Sequence, residues 1–235
     1  MTARLKRLTR LATGAGSIAI AAALLAGCTS PPARFYTLGT DNVGTSSSTP
    51  ARPPFLIQVL AVDVPDEVAR NQLVIQKGAT QVAILEQERW ASSPADEIRH
   101  ALSDDIAAQL GTIDVENSAY SLDIPAYRVG VNVLRFDSVL NTRVSLGAVW
   151  SVRAVGSQVV MTCRTDVTEP VTDGYDALVA GHRSALRLLA SRIAAGVRAM
   201  EEARTRIAKS AEPLSSRKGS ASQADSSVSV AACRN

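Results

Sequence analysis

The chain has 235 residues, with 25 Lys or Arg against 22 Asp or Glu and a formal net charge of +3. Four of the basic residues (Arg4, Lys6, Arg7 and Arg10) fall in the first 27 positions, which hold no acidic residue. Without residues 1–27 the balance is 21 to 22, about −1, so no basic stripe remains for phosphate binding and a nucleic-acid partner is excluded.

The basic start is followed by an apolar run from Leu11 to Ala26 and then by Leu25-Ala26-Gly27-Cys28. A basic n-region, an apolar h-region and small residues before a cut site describe a secretory signal peptide over 1–27. The run is too short for a comfortable membrane span, which takes roughly 20 apolar residues. A cysteine directly after Leu-Ala-Gly resembles the lipobox of bacterial lipoproteins. That resemblance implies that Cys28 carries the lipid and becomes the new N-terminus. Thr29 comes next. An aspartate there implies inner-membrane retention in Gram-negative lipoproteins, so threonine points to the outer membrane, facing the periplasm.

Residues 28–54 are expected to hold the lipidated N-terminus, a short strand at Arg34 to Leu38 and a flexible loop of Gly, Ser, Thr and Pro. Phe55 to Val64 alternates, with Phe55, Ile57, Val59 and Ala61 on one face, and predicts a strand ending at Pro65. Leu73 to Gln76 and Gln81 to Leu85 flank Lys77-Gly78-Ala79-Thr80 as a hairpin. Ser93-Pro94-Ala95-Asp96 supplies a serine cap, a proline at the first helical position and an acid at the third. Ile98, Leu102, Ile106 and Leu110 then keep helical spacing until Gly111. Three strands follow, marked by Tyr127 to Val133, Val144 to Val152 and Val159 to Val167, the last two joined tightly and antiparallel at Gly156-Ser157. A long helix from about Gly174 carries Leu178, Val179, His182, Leu186, Leu189, Ile193 and Val197 on one stripe. The segment 55–208 is therefore read as a single domain, an α/β sandwich on a mixed sheet with two main amphipathic helices. Residues 209–235 are small and polar, and read as a disordered tail.

Five segments occur in an order that resembles the ABC-type transport auxiliary lipoproteins, the PqiC/YmbA-like group. They are Phe35-Tyr36-Thr37-Leu38, Arg70-Asn71-Gln72-Leu73-Val74, Glu88-Arg89-Trp90-Ala91, Arg135-Phe136-Asp137 and Val144-Ser145-Leu146-Gly147-Ala148-Val149-Trp150. Ala69 departs from the pattern, where an acid would precede the arginine. The resemblance implies an anticodon-binding-domain-like α/β sandwich and a part in lipid traffic between the two membranes. It also implies partners: an MCE-domain periplasmic protein with its inner-membrane ABC permease and ATPase. The lipoprotein itself would dock or cap the conduit, and self-association into a homo-oligomer would suit a cap.

Catalytic, cofactor and metal chemistry find no constellation. The two histidines, His100 and His182, lie beside or on apolar helix faces, and no His-x-x-x-His or Cys-x-x-Cys spacing occurs. His182 and Ser184 are neighbours but mid-helix, without a nucleophile elbow. Asp104-Asp105 reads as a solvated helix pair with one of the two facing out. Glu88, Arg89 and Trp90 are candidates for a partner-binding surface, since Trp and Arg are enriched at interface hot spots. Against this, Trp90 would plug the core while Glu88 and Arg89 pair locally. Trp150 reads as core, and Arg135 and Asp137 as a local pair or partner contact. A disulfide between Cys163 and Cys233 would close a loop of about 70 residues and pin the tail to the sheet, but the expectation is two unpaired thiols, one buried and one in the tail. The two function classes in view are a non-enzymatic outer-membrane subunit of an ABC/MCE-type lipid transport system, and an envelope-assembly scaffold such as a pilotin.

Overall fold

A computed structural model describes residues 31–39, 53–211 and Cys233. The signal peptide, Cys28, most of the 39–54 loop and most of the tail lie outside the described residues. Nine elements follow in chain order: β1 (Arg34–Tyr36), β2 (Leu56–Val59), β3 (Gln72–Gln76), β4 (Val82–Trp90), α1 (Pro94–Leu110), β5 (Ala126–Val139), β6 (Arg143–Ala154), β7 (Val160–Pro170) and α2 (Tyr175–Ala211). The class is mixed α/β with two helices, as expected. There are two mixed sheets rather than one, ordered β1-β4-β3 and β2-β5-β6-β7.

The smaller sheet contains the short first strand expected at residues 34–38. β1 pairs in parallel with the end of β4, Arg34 level with Glu88 and Tyr36 with Trp90, so the folded domain starts before residue 55. The predicted hairpin forms, but β4 continues to Trp90 and takes Glu88 and Arg89 into the sheet.

β2 is shorter than expected and buried on both faces, not one. One edge pairs with β5, while Ile57 exchanges backbone bonds with Ile113 and Val115 on the other. Leu56 turns away from the main core into a small cluster with Val115 and Ala126. Alternation cannot mark a strand covered on both sides.

α1 starts and stops where its sequence predicts. The Ser93 hydroxyl accepts from the Asp96 amide at 3.2 Å, and Gly111 closes the helix in the left-handed region with φ 62°. α2 lies across β6 and β7 and reaches β5, while α1 packs on α2 and β2. The main core fills the space between, from Ile98, Leu102 and Ile106 of α1 and Leu186, Leu189 and Ile193 of α2 to Tyr127, Val129, Leu146 and Trp150 of the sheet. Two glycines set how closely α2 approaches. A Cβ at Gly181 would collide with Val171, and one at Gly196 would lie 2.9 Å from the Trp150 ring.

Candidate functional site

The sequence candidates separate into three places. Trp90 is buried and packs against Phe136 (ring centroids 6.1 Å) and edge-on against His182 (6.2 Å), as a core plug would. Glu88 does not pair with Arg89. It is buried beneath β1, where Arg34 Nε donates at 3.0 Å and the Tyr36 hydroxyl at 2.7 Å. Burial, then the bond to Glu88, pushes the Tyr36 phenol up to about 12, so it stays a donor at physiological pH. Arg89 turns outward and bonds the Glu86 carbonyl at 2.8 Å. Arg34 also sits 5.7 Å from the Tyr175 ring, linking β1 to the start of α2.

Arg135 and Asp137 lie on the sheet face turned away from the helices, 3.9 Å apart. Arg135 also comes within 3.9 Å of Asp166, two strands away. The register explains the reach: Arg135, Gly147 and Asp166 form one row across β5, β6 and β7. A Cβ at Gly147 would sit 2.8 Å from the Asp166 carboxylate, so only glycine leaves the bridge its path. Arg164, donating to Asp166 at 2.8 Å, holds that carboxyl below its ordinary range. Like-charged Arg128 and Arg153 face each other in the same sheet, with Arg128 donating to Gln58 at 3.2 Å.

The sequence did not reveal two further features. Ser138 Oγ lies 2.8 Å from His182 Nε2, a hydroxyl–imidazole pair 44 residues apart in sequence. It resembles a nucleophile and its base, but the chemistry does not fit. His182 is fully buried and stacked 4.0 Å from Phe136, and burial alone drives its pKa down to about 3. Such a ring is too weak a base at neutral pH to activate a serine, and neither atom meets solvent where a substrate could approach. In the Nε2–H tautomer the ring donates to Ser138 and leaves only a lone pair unpartnered at Nδ1.

The second feature is a groove of 630 Å³ along the sheet edge, between β7 and the second half of α2. Trp150, Met161, Ala195, Gly196 and Ala199 give it an apolar floor, and Arg164, Asp166, Arg198 and Glu202 a charged rim. Cys233 stands in its wall, disulfide-bonded to Cys163 with the Cα atoms 5.8 Å apart. The expectation of two unpaired thiols is thus corrected. The low-complexity context of Cys233 and the apolar face of Cys163 weighed against the disulfide, which is the alternative that forms.

Among the described residues, no group of three His, Cys, Asp or Glu could hold a metal ion. None of the described helices is long and apolar enough to cross a membrane. The described residues define a mixed α/β domain with a groove between β7 and the second half of α2.

The ABC-type transport auxiliary lipoprotein component family matches residues 36–194, from β1 into the second half of α2, and the chain belongs to it. The intermembrane transport lipoprotein PqiC of Escherichia coli (strain K12) is 28% identical over 164 residues, 69% of this chain and 86% of that protein. An uncharacterized protein of known crystal structure shares the fold with a TM-score of 0.57 at 21% identity, over 71% of this chain and 99% of its own. Protein XCC0632 from Xanthomonas campestris does so with a TM-score of 0.53 at 14% identity, over 67% and 92%.

Proposed function

We propose that this chain is a non-enzymatic, outer-membrane lipoprotein subunit of an ABC/MCE-type intermembrane lipid transport system. Lipid on Cys28 holds it on the periplasmic face, where it docks or caps the conduit formed by an MCE-domain partner. The observation that carries this reading is the family match across both sheets and both helices, together with the likeness to an intermembrane transport lipoprotein. The geometry supports it in two ways. Among the described residues, the buried Ser138–His182 pair lies out of reach of a substrate, and β1 is a sheet strand, so the tether to Cys28 is short.

Cys28 lies six residues before Arg34, a reach of at most about 20 Å. A domain tied this closely keeps a fixed height above the bilayer, as a docking part requires. The several acyl chains of a lipoprotein cysteine anchor stably where one chain binds only marginally. The test is co-purification from detergent-solubilised envelopes after mild crosslinking. Recovery of an MCE-domain protein is the expected result. Recovery of pilus or secretin components alone would instead make the chain an assembly scaffold.

A further inference from the structure

On the sheet face turned away from the helices, Arg135 and Arg164 each reach a carboxylate. Arg135 lies 3.9 Å from Asp137 and from Asp166, and Arg164 lies 2.8 Å from Asp166. Arg128 and Arg153, farther along the same face, are half-buried and differ. Among the described residues, neither guanidinium comes within salt-bridge distance of a carboxylate. Arg128 bonds only the neutral amide of Gln58, and the Arg153 side chain makes no bond at all.

The two are nevertheless direct partners across β5 and β6. Such partners have Cβ atoms about 5 Å apart, and like charges placed so destabilise a sheet. The fold keeps that cost with no carboxylate to offset it, a broken local rule of the kind found at functional sites.

The next row along the face is open. Gly130 pairs with Ser151 there, and a Cβ on Gly130 would lie 3.2 Å from the Ser151 hydroxyl. At about 3.4 Å per residue, Ser151 stands roughly 7 Å along the strand from Arg153. On the opposite side of the arginine row, Leu56, Val115 and Ala126 form a buried cluster. The guanidiniums therefore stand beside a step, with a hydroxyl in the open row beyond them.

We propose that Arg128 and Arg153 bind a phosphomonoester on this face, with Ser151 as a third donor. A guanidinium is a planar fork that matches two oxygens of a phosphate. Two forks and a hydroxyl suit the three terminal oxygens of a monoester, whose charge of about −1.5 to −2 balances two cations. A carboxylate, with two oxygens and one charge, leaves one cation uncompensated. Two cations make a single-phosphate site and not the stripe a nucleic acid needs. A soluble phosphomonoester and a lipid headgroup such as phosphatidic acid present the same group. The site stands on this geometry alone and does not depend on the transport reading.

The test uses the full-length protein, its arginines labelled with nitrogen-15, in an uncharged detergent near pH 7 at constant ionic strength. Arginine Nε–Hε resonances are followed during titration with inorganic phosphate, glycerol 3-phosphate or acetate, and in a separate arm with phosphatidic acid. The expected result is a saturable shift at Arg128 and Arg153 with both phosphates and none at Arg135 or Arg164. Acetate should bind about tenfold more weakly, and Arg153→Gln should weaken phosphate binding at Arg128 by about tenfold or more. Arg128→Gln, read at Arg153, replaces that variant should it fail to fold. Phosphatidic acid binding more tightly than glycerol 3-phosphate assigns the site to a lipid headgroup, and equal or weaker binding assigns it to a soluble ester. Shifts that never saturate, that spread equally to Arg135 and Arg164, or that persist unchanged in both variants overturn the site. Acetate binding as tightly as phosphate overturns the choice of a phosphomonoester.

Discussion

His182 makes the stability of the domain depend on pH in a calculable way. The folded ring takes no proton until about pH 3, whereas an exposed histidine takes one near 6.5. The unfolded chain therefore binds more protons throughout that window, and stability falls as pH drops through it. From pH 7 to pH 5 the loss from this one residue is about 2 kcal/mol, growing to about 4 kcal/mol by pH 3. His182→Gln removes the titration and keeps an amide able to bond Ser138. Urea unfolding of both proteins at pH 7 and pH 5, followed by fluorescence of buried Trp90 and Trp150, reads the difference. The wild type should lose about 2 kcal/mol more than the variant over that interval. Parallel losses in the two proteins would mean that the ring accepts a proton in place, and would refute the reasoning.

Two further outcomes are expected. Reducing Cys163–Cys233, or making Cys233→Ser, should cost up to about 4 kcal/mol on the chain-entropy model, given a sequence separation of 70. Urea unfolding with and without reductant measures this, and non-reducing peptide mapping should recover the linked pair. Glu97 is buried and accepts from the Leu38 amide at 2.7 Å, the Thr37 hydroxyl at 2.8 Å and the Ser92 amide and hydroxyl at 3.1 and 2.8 Å. Glu97→Ala should cost about 3 kcal/mol by leaving those donors unpaired, and should speed hydrogen exchange at the Leu38 amide. A Leu38 amide as protected as before would show that β1 is held by other means.

The sequence was most legible where structure is local. Capping residues and a single apolar stripe marked α1, and sustained alternation marked β5, β6 and β7, because each periodicity arises within one element. It failed where the pattern is made by distant chain. β2 is covered on its second face by residues near Val115, so the one-sided burial implied by its alternation does not hold. Glu88 shares a strand face with Trp90, yet its partner Arg34 lies 54 positions earlier. Glu97 looks like any acid in a helical first turn, and only the return of β1 shows that it is a buried acceptor. Ser138 was overlooked, and the Cys163–Cys233 pairing was weighed without being favoured, for the same reason. No neighbour in sequence announces a contact with His182 or Cys163.

The Cys163–Cys233 bond closes a covalent ring through most of β7, all of α2 and the chain beyond it. A protease that cuts once anywhere inside this ring releases nothing, because both new ends stay attached through sulfur. The nicked protein would run as a single species on a non-reducing gel and split into two bands only after thiol treatment.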